Sequence, residues 1–236
     1  MFLSIEDASS TMMKSPATIV FIDTCIFLDI LRSPFRDGIS SNSISAAKTL
    51  IKKSEDDENG IWLVTNETVK GEWEDNISVV SLELENEAKR LEKRRKRFLS
   101  SAEFALGNKL EYGQKETLLN LHSRLTSLSR NLLSQCLIIR VEDYHSVKAM
   151  QRVRRCVAPA RKGKQEAKDC EILEAFLDLS ESILDKGFDQ ALCFVSSNSD
   201  DYGKPGRSPI EEEFKNNSVK YVSNLQWSLA IAENRA

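Results

Sequence analysis

The sequence predicts an α/β protein with a central five-stranded parallel sheet flanked by helices, on three observations. Five short apolar runs rich in β-forming residues recur along the chain, and stretches with helical spacing of apolar residues separate them. Two of the runs, Ile61–Val64 and Leu192–Val195, are almost continuously apolar, as in strands covered on both faces of a parallel sheet. Strands that alternate with helices make an open α/β sheet the expected arrangement.

Taken in order, the first strand is Thr18–Ile22 (TIVFI) and the next helix centres on Ser43–Lys53. Ser54–Gly60 (SEDDENG) reads as an exposed acidic turn, because it lacks the spaced ligands and closing glutamate of a calcium loop. The second strand, Ile61–Val64, leads into a helix over Thr68–Arg97, and a further helix is expected over Leu110–Leu133. In the first of these, apolar residues recur at Ile77, Val80, Leu84, Ala88 and Leu91; in the second, at Leu118, Leu121, Leu125, Leu128 and Leu132. A polar break with Gly107 and Gly113 lies between the two series, so residues 77–136 read as a long helical hairpin inserted into one domain spanning 1–236. The hairpin's basic run, Lys89–Arg97, has Glu83, Glu85, Glu87 and Glu92 at pairing distance and reads as a solvated helix face. Leu137–Val141, Leu192–Val195 and Val219–Val222 supply the last three strands, with a helix over Ala167–Leu184.

The 236 residues, 41% of them hydrophobic, suffice for one large domain or a compact one with an insertion. Acids outnumber bases 36 to 33, for a net charge of −3, so any contact with nucleic acid must rest on local patches. Five scattered cysteines form no CxxC pair and suit a reducing compartment. Cys25 and Cys193 lie in apolar runs, where a thiol acts as a small hydrophobe. The segment MFLSIEDASSTMMKS does not read as a signal peptide, and no apolar stretch reaches membrane-spanning length, so a cytoplasmic protein without a membrane role is expected.

Four places carry candidate chemistry. In FIDTCIFLDIL, Asp23 ends the first strand, where functional groups gather in open α/β sheets, although an aspartate there can equally cap the next helix. LVTNETVKGEW offers Glu67 and Glu72 near a helix start, a common position for glutamates on dipole grounds alone. Asp169 opens AKDCEILEAFLDL ahead of an apolar face, with Glu171 and Glu174 expected to project into solvent. The fourth strand runs into SSNSDDYG, which holds Ser196, Asn198, Asp201 and Tyr202 but could be a plain Asx-rich turn. With only His122 and His145 in the chain, histidine acid–base chemistry is unattractive. Trp62, Trp73 and Trp227 read as core or boundary residues.

In that order the four acids resemble a PIN domain, the fold of many toxin-type and RNA-processing ribonucleases. FIDT fits the family's apolar-apolar-Asp-Thr element at Asp23, and Glu72 fits the second acid best, with Glu67 the alternative. Lys168-Asp169 fits the third, and Ser196, Asn198, Asp201 and Tyr202 match the last motif. The resemblance spans about Thr18–Glu74 and Leu137–Val222, and the larger, helix-inserted bacterial PIN-like proteins are the most similar type. It implies phosphodiester hydrolysis, with Asp23, Glu72, Asp169 and Asp201 as catalytic metal ligands, Asn198 as a neutral ligand, and Ser196 and Thr24 behind them. Oxygen-only donors favour Mg2+ or Mn2+ over zinc. Arg161, Lys162, Lys164 and Lys168, within the basic segment Lys148–Lys168, are the expected phosphate contacts. RNA is the expected substrate with DNA left open, and an antitoxin, a defence-system protein or a second copy are expected partners. A phosphatase of the haloacid-dehalogenase type would need an aspartate where Cys25 stands. The remaining rival is an inactive PIN-like module for RNA binding or assembly.

Overall fold

The computed structural model describes residues 2–56, 60–163 and 167–233. Helix α1 (Ile5–Lys14) comes first, capped by the Ser4 hydroxyl, which accepts from the Asp7 amide. Strand β1 (Ile19–Ile22) follows and is buried along its whole length. Next come α2 (Thr24–Arg32), α3 (Asn42–Ser54) and β2 (Trp62–Asn66). Helix α4 (Glu67–Leu106) runs for 40 residues from an Asn66 cap to Gly107, whose φ of 68° is the left-handed turn that glycine supplies at helix ends. A 3-10 turn at Glu116–Leu119 precedes α5 (Leu121–Ser134), β3 (Leu137–Ile139) and α6 (Asp143–Arg155). The chain continues through α7 (Ala167–Asp185), β4 (Leu192–Val195), α8 (Glu211–Asn216), β5 (Val219–Val222) and α9 (Leu225–Ala232).

All strand pairs are parallel, in the order β3-β2-β1-β4-β5. Successive strands thus step one way from β1 to β3 and the other way from β4 to β5. Between β1 and β4 the winding reverses, and the carboxyl ends of two such strands frame a crevice that open α/β proteins use for ligands. Register brings Phe21 level with Phe194 and Ile22 level with Val195, so residues 23 and 196 leave the sheet side by side.

Beneath that edge, Phe21, Phe176, Phe194, Phe214 and Tyr221 pack with ring centroids 4.7–6.0 Å apart. These contacts fix the ends of β1 and β4 by shape as well as by apolar burial. The loop between β4 and α8 is also constrained. Gly203 has φ 77°, and a Cβ there would stand 2.6 Å from Pro209 Cδ.

Three expectations need correction. The second hairpin arm becomes helical only at Leu121, and Leu118, expected on its apolar face, is largely exposed. Helices α1, α6, α8 and α9 lie outside the expected set: α6 buries His145, Ala149 and Arg152 at helical spacing, but two of these are polar and mask the period. Trp227 is exposed, whereas Trp73 is buried with its indole N–H donating to Ser129 Oγ. Part of the acidic turn, residues 57–59, lies outside the described residues. Among the described residues no helix is long and apolar enough to cross a membrane.

Candidate active site at the strand crossover

Asp23 stands at the start of α2 as its cap, its Oδ1 accepting from the Thr24 amide at 2.7 Å. Helix capping and a functional role are therefore compatible for this residue. Its Oδ2 accepts from Ser196 Oγ at 2.6 Å and from the Cys25 thiol at 3.0 Å. Thr24 turns its hydroxyl the other way and donates to Glu72 Oε2 at 2.7 Å, so the start of α2 holds the carboxylate from the second turn of α4.

From Ser196 the chain of contacts runs onward. Its hydroxyl accepts from the Asn198 amide at 3.1 Å, and the Asn198 side-chain amide donates to Asp201 Oδ2 at 2.8 Å. Glu72, Thr24, Asp23, Ser196, Asn198 and Asp201 thus form one connected polar chain across the crossover. Asp169 joins it through the next residue: the buried Tyr202 hydroxyl donates to the Asp169 carbonyl at 3.2 Å. Burial pushes the pKa of that hydroxyl well above the ordinary value, and the charges of Asp23, Asp169 and Glu72 act in the same direction.

This arrangement comes with a family match. A PIN domain model matches residues 20–202, most of the chain and every residue of the polar network. The chain belongs to the PIN-domain family. PIN domains are typically nucleases and generally use divalent metal ions. No curated protein and no solved structure matches the chain.

Within this PIN domain the electrostatics centre on Asp23, which is 2% exposed. Burial raises its pKa; hydrogen bonds from Ser196, Cys25 and Thr24 lower it, and the nearby Glu72 charge raises it again. A carboxylate so enclosed gains from a nearby positive charge. The positive charge in this network stands at Glu72 instead: the Lys168 ammonium lies 3.6 Å from Glu72 Oε1. All the acidic groups offer oxygen donors, the chemistry of a hard divalent ion. Among the described residues, however, no three His, Cys, Asp or Glu side chains cluster closely enough to hold an ion as a group. Asp23, Glu72 and Asp201 instead take protein donors, from Ser196, Thr24 and Asn198 respectively.

The two glutamates of the second motif separate cleanly. Glu72 reaches the network, whereas Glu67 Oε1 accepts from the Val141 amide at 2.7 Å and ties α4 to the chain beyond β3. Around Asp169 the expectation of solvated neighbours fails. Glu171 accepts from the Thr68 and Ser146 hydroxyls, each at 2.6 Å, and Glu174 is buried against the Arg152 guanidinium. Arg152 also pairs with Glu213, so this member of the basic segment is neutralised inside the fold. Arg161 and Lys162 are exposed, and Lys164 lies outside the described residues.

Cys25 is the residue sequence reasoning misread. Its sulfur accepts from the Ser197 amide at 3.1 Å while its thiol faces Asp23, and burial together with Asp23 and Asp29 raises its pKa well above normal. It therefore stays a protonated donor. Asp29, also missed, accepts from Ser197 Oγ at 2.5 Å. Its position four residues after Cys25, on the same helical face, was the available signal.

Proposed function

We propose that this PIN domain is a Mg2+- or Mn2+-dependent nuclease that hydrolyses phosphodiester bonds, with RNA as substrate and internal cleavage as the mode. One observation carries the proposal: the continuous polar chain from Glu72 through Thr24, Asp23, Ser196 and Asn198 to Asp201, located where the strand order reverses.

Asp23, Glu72, Asp169 and Asp201 are the proposed ion-holding groups, with Asn198 as a neutral oxygen donor. A bound divalent ion supplies charge neutralisation at the phosphate and a water of lowered pKa. The protein's part is orientation. Thr24 aims Glu72, Ser196 aims Asp23, and Asn198 aims Asp201, each through a bond of 2.6–2.8 Å. Such supporting partners set ligand direction and commonly matter about 10–100-fold in metal affinity or activity. Lys168 offsets the acidic charge at Glu72, and exposed Arg161 and Lys162, with Lys164, offer phosphate contacts.

In this reading the protein acts in the cytoplasm, and an antitoxin, a defence-system partner or a second copy of the chain are candidate regulators. The rival, an inactive module for RNA binding or assembly, draws on the spacing of the acids, since no three cluster as an ion-holding group among the described residues. Purified protein incubated with RNA and Mn2+ or Mg2+ separates the two. Cleavage that stops in EDTA and in Asp23→Asn, with the fold intact by circular dichroism, is the expected result. Full activity in well-folded Asp23→Asn would remove the assignment from this site.

A further inference from the structure

Next to the carboxylates lies a cleft of about 700 Å3, within the size range of small-ligand sites. Its walls are the last turn of α2, the 33–43 connection, the 197–205 loop and the start of α9. Cys25 and Asn198 line it too, so it opens directly from the polar network.

Charge and unsatisfied donors distinguish this cleft from the acidic network beside it. Arg32 and Arg36 approach from one wall and Lys204 from the other, against Asp29 and Asp37. Asp29 is already engaged by Ser197 at 2.5 Å and by Arg32 Nη1 at 3.6 Å. Two polar atoms in the lining residues are buried without a protein hydrogen-bond partner: Arg32 Nε and Ser43 Oγ. Ser43 is only 6% exposed. A buried donor left unpaired costs free energy, so a shift of either side chain toward an anion in the cleft would gain the acceptor it now lacks.

We infer that this cleft holds the nucleotide flanking the cleaved phosphate, with that nucleotide's own phosphate between Arg32 and Lys204. An anion there draws the Arg32 guanidinium off its long contact with Asp29 and gives Nε an acceptor. Arg36, whose other partner is Glu83 at 3.8 Å on the exposed surface, extends the positive wall outward. The shared wall at Asn198 makes the cleft and the carboxylates two stations on one strand path. The assignment rests on the nuclease reading for what happens at the neighbouring phosphate; binding in the cleft is independent of it.

The full chain, in EDTA, is photocrosslinked to a short RNA carrying 4-thiouridine, and the crosslinked peptides are mapped. Crosslinks within residues 32–43 and 204–205 are expected. In parallel, Lys204→Gln and Arg32→Gln are each compared with wild type for RNA affinity in EDTA and for KM and kcat in Mn2+. The expected result is a Kd and KM raised about tenfold in each variant, with kcat changed less than threefold and a shallower salt dependence. Lys204 is exposed, so its substitution tests the cleft even if Arg32→Gln fails to fold. Crosslinks confined to other surfaces, with the Lys204→Gln affinity within twofold of wild type, overturn the inference. The two readings fail separately. Binding and crosslinking in the cleft without cleavage would remove the nuclease reading and keep the cleft, whereas cleavage with unaltered KM in both variants would do the reverse.

Discussion

Along α4 the inner residues Val69, Trp73, Ile77, Val80 and Leu84 are buried, while Leu91, Phe98, Phe104 and Leu106 farther out are 55–89% exposed. The inner half packs on α2 and α5; the outer half runs past the end of α5 and meets the 3-10 turn and the segment before it, where Arg95 donates to the Gln114 carbonyl and Glu103 accepts from the Leu110 amide. Its order comes from the local charge pairs Lys89 with Glu85 and Arg90 with Glu87, and from the tie of Arg95 to Glu116 in the 3-10 turn. Exposed helix pairs of this kind are worth only about 0.3–0.5 kcal/mol each. Apolar spacing specifies a helix in both halves, but burial follows only where a second element covers the face. Helix formation and core formation are separate outcomes of one pattern.

The largest contrast this comparison predicts lies in activity at the inner end. Glu72→Gln should lower RNA cleavage by at least about 100-fold, the scale seen when a group facing developing charge is removed. Glu67→Gln, whose amide oxygen can still accept from the Val141 amide, should leave kcat/KM within about twofold and cost no more than about 1 kcal/mol of stability. A steady-state assay with both variants checks this, and the opposite ranking would move the ligand role to Glu67.

Stability gives the next contrast. Trp73→Ala removes a buried indole hydrogen-bonded to Ser129 and should cost about 3–5 kcal/mol in urea unfolding. Phe104→Ala, at 89% exposure, should change it by no more than about 0.5 kcal/mol. A comparable loss at Phe104 would mean the outer half has a partner surface in solution.

The smallest expected effect concerns the basic residues. Arg161→Gln with Lys162→Gln should weaken RNA binding a few-fold and flatten its salt dependence, while Arg94→Glu with Arg97→Glu should do neither beyond about twofold. Filter binding across a salt series distinguishes them. A strong effect at Arg94 and Arg97 would extend the RNA-contacting surface along the hairpin.

The strands were legible because their runs are short and β-rich, and Asp23, Asn198 and Asp201 were legible as candidates because they follow the fully buried runs of β1 and β4. Helix α6 was not, because its buried face is His145, Ala149 and Arg152, residues that an apolar count passes over. Nor could one segment disclose what its residues meet elsewhere. Arg152 looked like free positive charge until Glu174 and Glu213, 22 and 61 positions away, were found against it. The preference for Glu72 over Glu67 similarly acquires geometry from Thr24, 48 positions earlier.

The separation of Asp23 from Ser196, 173 positions along the chain, has a consequence during synthesis. β1 cannot acquire its neighbour β4 until nearly the whole sheet has left the ribosome, and contacts that close such long loops form late. The network around Asp23 therefore cannot assemble on a short nascent chain, however early its first acid emerges. Any hydrolytic capacity it carries stays latent until residues 196–201 have left the ribosome. Truncated translation products ending before residue 196 lack it altogether.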